Sequence, residues 1–158
     1  MSMGEILRNR LKQKGFDSEH QEALLSLLVA ADVLNRKLQQ ICEQYSITHP
    51  QYNVLRILRG SYPNGHPRSE IIARMLQRAP DVTRLINRLE KVGLVCRART
   101  TEDRRLSLTF ITPKGIELLN AMHADITSLG TELRERLNVE EAADLIKYCE
   151  RIIQWDLE

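Results

Sequence analysis

The sequence predicts a mainly helical chain carrying one small β-hairpin. Three observations point there. Apolar residues recur at steps of three and four in several separate stretches, the period of a helix with one buried face. That period breaks once, between Leu94 and Ile111, where partial two-residue alternation takes over. Aromatic residues make up only 4% of the chain against 42% hydrophobic residues overall, so the core must be aliphatic.

Residues 1–17 are polar and basic, with Ile6, Leu7, Leu11 and Phe16 as docking points. Ser18-Glu19-His20-Gln21 has the spacing of a capping box, in which Ser and Gln side chains satisfy free N–H groups of a first helical turn. Leu24, Leu27, Ala31, Leu34, Leu38, Ile41 and Tyr45 then form a coiled-coil-like stripe. With Leu25 and Leu28 beside it, this helix has more apolar surface than a small domain can cover. Thr48-His49-Pro50-Gln51 repeats the start signal with proline in the first turn. Tyr52, Leu55 and Leu58 give a short helix that ends at Gly60, before the loop Ser61-Tyr62-Pro63-Asn64-Gly65.

Ser69 is expected to cap a third helix with Ile72, Ala73 and Leu76 inward. After the turn Gln77-Arg78-Ala79, Pro80 stands near the start of a fourth. Val82, Leu85, Ile86, Leu89 and Val92 are its buried stripe, and Gly93 its C-terminal cap. Leu94–Arg99 and Leu106–Ile111 read as the arms of the hairpin, with a charged tip between them. The tip has no Asn-Gly or Asp-Gly, so a loop longer than two residues is expected. Thr112-Pro113 restarts helix, with Ile116, Leu119, Met122, Ile126, Leu129 and Leu133 on one face. Asn138-Val139-Glu140-Glu141 starts the last helix, with Ala142, Leu145, Cys149 and Ile152 on its face and Ile153 as a further candidate.

The order from Thr48 to Ile111 is helix, loop, helix, tight turn, helix, hairpin, which is the order of a winged helix-turn-helix. It divides the chain into an arm and long dimerisation helix (1–47), a DNA-binding lobe (48–112) and C-terminal dimerisation helices (113–158). Charge follows that division. Residues 66–115 carry eleven Lys or Arg, nine of them arginine, against five Asp or Glu, a net charge of +6. The remainder is at −4 within a total of +2. Arginine's planar fork suits phosphate and guanine.

In a helix-turn-helix pair the second helix enters the major groove. Opposite its apolar stripe lie Thr83, Arg84, Asn87 and Lys91, flanked by Asp81 and Arg88. Thr83, Arg84 and Asn87, nearest the leading end, are expected to touch bases. Arginine pairs with guanine O6 and N7, asparagine with adenine, and a threonine methyl with that of thymine. Arg88 and Lys91 are expected on phosphates, which hold register without reading sequence. Arg97 and Arg99 add charge along the hairpin. At its tip Asp103-Arg104-Arg105 could place guanidiniums in a narrow minor groove, where negative potential is concentrated, with Asp103 holding one of them extended. An ordinary solvated helix face and a surface ion pair are the plainer readings of these same residues.

Leu89-Glu90-Lys91-Val92-Gly93-Leu94-Val95-Cys96-Arg97, then Asp103-Arg104-Arg105, then Leu108-Thr109-Phe110-Ile111-Thr112-Pro113-Lys114-Gly115, resembles the MarR family of transcription regulators. The likeness extends over about residues 20–155. It implies a homodimer built from the terminal helices, a palindromic double-stranded DNA operator, and in many members release by a small phenolic or other lipophilic effector. By the family's motif Arg105 matches a wing arginine that enters the minor groove, Asp103 its supporting acid, and Arg97 a basic position near the backbone. Ser69 starts the helix whose N-terminus usually faces phosphate. The hairpin tip lacks the proline common in the family. The family's oxidation-sensing branch carries a cysteine near the start of the first long helix, and this sequence has none there.

For an effector, a cavity where helices 20–45, 48–60 and 113–135 meet could use His49, Tyr52 or Arg56 as polar anchors; a purely structural role for the three is the favoured reading. No metal or cofactor is expected: His20, His49, His66 and His123 are scattered without ligand spacing, and no phosphate-loop motif occurs. Three separate cysteines without CxxC suggest buried thiols. The absence of a signal-peptide pattern or a membrane-length apolar run points to the cytoplasm and to no membrane partner. An alternative to operator binding is an adaptor or antirepressor that keeps the fold, and Arg84, Asn87, Arg104 and Arg105 weigh against it. No constellation suggests an enzyme.

Overall fold

The computed structural model describes residues 4–78, 81–99 and 107–156. Among these residues seven α-helices and three short strands follow in the order α1 (Glu5–Leu11), α2 (Glu19–Gln44), α3 (His49–Gly60), β1 (His66–Pro67), α4 (Arg68–Ala73), α5 (Val82–Lys91), β2 (Val95–Arg99), β3 (Ser107–Ile111), α6 (Pro113–Arg134) and α7 (Val139–Ile153). The strands form one antiparallel sheet in the order β1-β3-β2.

The local signals act as expected at most helix starts. Ser18 Oγ accepts the Gln21 amide at 3.2 Å, while the Gln21 side chain reaches one residue further back, to the Asp17 amide at 2.7 Å. Thr48 and Gln51 close a full capping box, the Gln51 amide donating to Thr48 Oγ1 at 3.3 Å and the Thr48 amide to Gln51 Oε1 at 2.8 Å. This box starts the central helix of the lobe, whose Val54, Leu55 and Leu58 are fully buried. Thr48→Ala is expected to cost about 1 kcal/mol, measured by urea unfolding. Thr48→Ser should restore the loss, and no loss would mean that packing alone holds the start of α3.

Two expectations for the third helix are corrected. It starts at Arg68, with Pro67 as its N-cap and no side-chain cap bond, so Ser69 lies inside the first turn. Its buried residue is Ile71; Ile72 is 45% exposed and Leu76 76% exposed. The reason is tertiary. β1 pairs His66 with Thr109 and Pro67 with Leu108, and Pro67, with φ at −67°, delivers the chain into the helix two residues early. The helix ends at Ala73, and Asn53 Oδ1 on α3 accepts the Leu76 amide beyond it at 2.8 Å.

α5 is capped by Asp81, whose Oδ1 accepts the Arg84 amide at 2.9 Å. Val82, Ile86 and Leu89 are buried and Leu85 half-buried, but Val92, expected to close the stripe, is exposed. Val92 is the C-cap, past the last helical turn, and Gly93 follows at φ +76°, which an L side chain rarely adopts. The Gly93 carbonyl accepts Thr112 Oγ1–H at 2.7 Å and the Val92 carbonyl accepts Lys114 Nζ at 2.8 Å. The end of α5 is thus bonded to the start of α6, with β2 and β3 between them in sequence.

The core gathers residues of α3, α4, α5, β2, β3 and α6, including Leu55, Leu58, Ile71, Ile86, Leu89, Val95 and Met122. α2 lies against α6 through polar bonds as well as packing: Tyr45 O–H donates to Asp125 Oδ2 at 2.6 Å, and Lys37 Nζ to Glu132 Oε2 at 2.8 Å. α1 buries Leu7, while Ile6 is exposed. α7, started by the Asn138–Glu141 capping box, buries no residue of its own.

Candidate nucleic-acid interface

The buried side of α5 rests on the core through Val82, Ile86 and Leu89, and this fixes its opposite side outward. Thr83, Arg84, Asn87, Arg88 and Lys91 are all exposed there, with Asp81 at the leading end. Arg97 and Arg99 stand exposed on β2, beside α5, and Ser69 is exposed in the first turn of α4. The structure therefore brings nine of the twelve sequence-selected positions onto neighbouring surfaces. The other three, Asp103, Arg104 and Arg105, lie outside the described residues.

Three contacts were not legible in the sequence. Arg97 Nη2 donates to Asn87 Oδ1, and its Nη1 lies 3.6 Å from Glu90 Oε2. Arg97 thus spans from the hairpin to α5. Arg68, which the sequence reading passed over, sends Nη1 to Thr83 Oγ1 at 3.1 Å. Its only sequence signal was its place among the central arginines. Among the described residues, the side chains of Arg84, Arg88 and Lys91 have no hydrogen-bond or ion-pair partner.

The three candidate anchors of a small molecule separate. Tyr52 and Arg56 meet in a groove of about 440 Å³ between α3 and α6, joined by Arg59, His123 and Ile126. Arg56 Nη1 donates to Tyr52 Oη at 3.3 Å. His49 lines a smaller cavity of about 180 Å³ with Asn53, Met75 and Leu76. Burial holds the His49 imidazole below its usual pKa, which favours the neutral ring.

Cys42 is fully buried and its thiol is pushed up to about 11, chiefly by that burial. Thiolate, the reactive form, is therefore scarce there at neutral pH. Cys96 is exposed and Cys149 half-buried. No helix among the described residues is long and apolar enough to cross a membrane.

A three-helix lobe, a hairpin beside its last helix and long flanking helices define a winged helix-turn-helix protein of the regulator type. The MarR family sequence profile matches residues 47–107. The crystal structure of a MarR transcription factor from Planctomyces limnophilus is 35% identical, with a TM-score of 0.66 over 86% of this chain and 98% of its own. The chain belongs to the MarR family. It is also 23% identical to the homoprotocatechuate degradative operon repressor of Escherichia coli, over 85% of this chain and 89% of that one. The DNA complex of MepR from S. aureus has a TM-score of 0.73 at 25% identity, over 84% of this chain and 95% of that one.

Proposed function

We propose that this chain is a sequence-specific double-stranded DNA-binding regulator that works as a homodimer in the cytoplasm and represses transcription from a pseudo-palindromic operator. The observation that carries the reading is the outward face of α5, where Arg84, Arg88 and Lys91 are exposed and unpaired among the described residues while the opposite face is locked into the core. Thr83, Arg84 and Asn87 are assigned to bases. Asp81 is assigned to the start of the reading helix. Ser69, Arg88, Lys91, Arg97 and Arg99 are assigned to the phosphate side, and Asp103, Arg104 and Arg105 to the minor groove. The MepR complex with DNA supports the assignment by likeness. Residues 1–47 and 113–158 form the dimerisation parts and 48–112 the DNA-binding lobe. Two-fold symmetry sets the reading helices about one DNA turn, or a multiple of it, apart. The groove at Tyr52 and Arg56 is the assigned site of a small effector that releases the operator.

Binding to DNA from the protein's own promoter region, against scrambled DNA across a salt series, tests this. The expected result is a preference of about 1,000-fold or more for the promoter, with log K falling linearly in log salt at a slope of about −0.9 per phosphate contacted. Equal, weak binding to both DNAs would refute operator recognition at that promoter and favour an adaptor role.

A further inference from the structure

Every side chain on the outward face of α5 that carries a hydrogen-bond acceptor already has an oxygen engaged within the protein. Asp81 Oδ1 accepts the Arg84 amide at 2.9 Å and Thr83 Oγ1 accepts Arg68 Nη1 at 3.1 Å. Asn87 Oδ1 accepts Arg97 Nη2, and Glu90 Oε2 lies 3.6 Å from Arg97 Nη1. The donors are the groups left open: the guanidiniums of Arg84 and Arg88, the ammonium of Lys91 and the amide nitrogen of Asn87 have no partner among the described residues.

We propose that Arg97 is a positioning residue that turns Asn87 into a donor-only reader, so that α5 selects keto base edges over amino ones on the strand it contacts. This rests on the reading of α5 as the helix that enters the major groove. An unrestrained asparagine reads adenine with both halves of its amide, Oδ1 accepting from N6–H and Nδ2 donating to N7. Here Arg97 takes Oδ1 and fixes which way the amide points. Its guanidinium also places positive charge where the amino hydrogens of adenine or cytosine would have to come. Nδ2 is left to donate, and guanine presents O6 and N7 as acceptors while thymine presents O4. Arg68 acts in the same sense on Thr83, whose hydroxyl keeps its hydrogen to donate.

The test is selection from a double-stranded DNA library randomised across a palindromic site, using full-length wild-type protein, Arg97→Met, Arg97→Lys and Asn87→Ala, each checked for an unchanged melting curve. Wild type is expected to select G or T over A and C about tenfold at one position per half-site, and Asn87→Ala to lose choice at that position. Arg97→Met, which frees Oδ1, should move the choice there to adenine. Arg97→Lys, which keeps a donor, should retain the keto preference. If Arg97→Met keeps the wild-type choice while affinity falls evenly, Arg97 is only a phosphate contact and the proposal is overturned. It is equally overturned if wild type selects adenine there, or if Asn87→Ala changes no position. Failure of wild type to enrich any sequence would instead sink operator recognition itself.

Discussion

Alanine in place of Gly115 is expected to lower the folding stability by about 3 kcal/mol, the upper part of the usual range for overpacking a filled site. Gly115 is buried in the first turn of α6. A methyl group there would sit 2.4 Å from the Leu94 carbonyl oxygen and 2.7 Å from Ile111 Cγ1. A side chain alone could shift, but that carbonyl is backbone and accepts the Thr112 amide at 3.1 Å. Relief therefore means moving the start of α6 away from the end of α5. Helix propensity works the other way, favouring alanine over glycine by about 1 kcal/mol, and the clash should outweigh it. Thermal unfolding followed by circular dichroism should show Tm lower by roughly 10 °C, from about 2–4 °C per kcal/mol for a chain of this size. A change under 1 kcal/mol would mean that the α5–α6 junction is looser than its hydrogen bonds indicate.

The second large effect is expected on the outer face of α7. Val139, Ile146 and Ile153 are seven residues apart, which places them along one side of the helix, and they are 86%, 60% and 63% exposed. Tyr148 is exposed on the opposite side of the helix and Trp155 beyond its end. A contiguous apolar face of this kind on a single chain marks an interface, and α2 adds exposed Leu24, Leu28 and Leu34. The double substitution Ile146→Glu with Ile153→Glu places two like charges in the face that a second copy would cover. It is expected to reduce the mass in sedimentation from twice 18.3 kDa to 18.3 kDa. Operator affinity should drop by at least about 100-fold, because the second half-site loses the effective concentration that linkage provides. Helix content should be retained, since α7 buries no residue within its own chain. A variant that stays at twice the chain mass would place the interface elsewhere.

These two predictions differ in what announced them. Gly115 stood in the sequence as part of the Leu108–Gly115 run, but its reason, the Leu94 carbonyl, lies on another segment. For α7 the apolar spacing announced an amphipathic helix with Ala142, Leu145, Cys149 and Ile152 on its face, and only the structure shows Val139, Ile146 and Ile153 lining the outward side. The same division runs through the candidate interface. The outward set Thr83, Arg84, Asn87, Arg88 and Lys91 followed from helical period alone, because burying Val82, Ile86 and Leu89 leaves those positions no other direction. That Arg97 bonds Asn87, or that Arg68 bonds Thr83, depends on how β2 and α4 pack beside α5.

The sequence by itself determined where most helices begin and where the hairpin lies, since caps and periodicity act between residues a few positions apart. It also determined that cationic side chains concentrate in residues 66–115. Only the tertiary structure decided that α4 starts at Arg68 and buries Ile71, because a strand pairing to residues some forty positions later sets that register. It alone decided that Tyr52 and Arg56 share a groove while His49 lines another. It also decided which polar atoms of α5 remain free, because a side-chain hydrogen bond between distant segments leaves no periodic trace in either one.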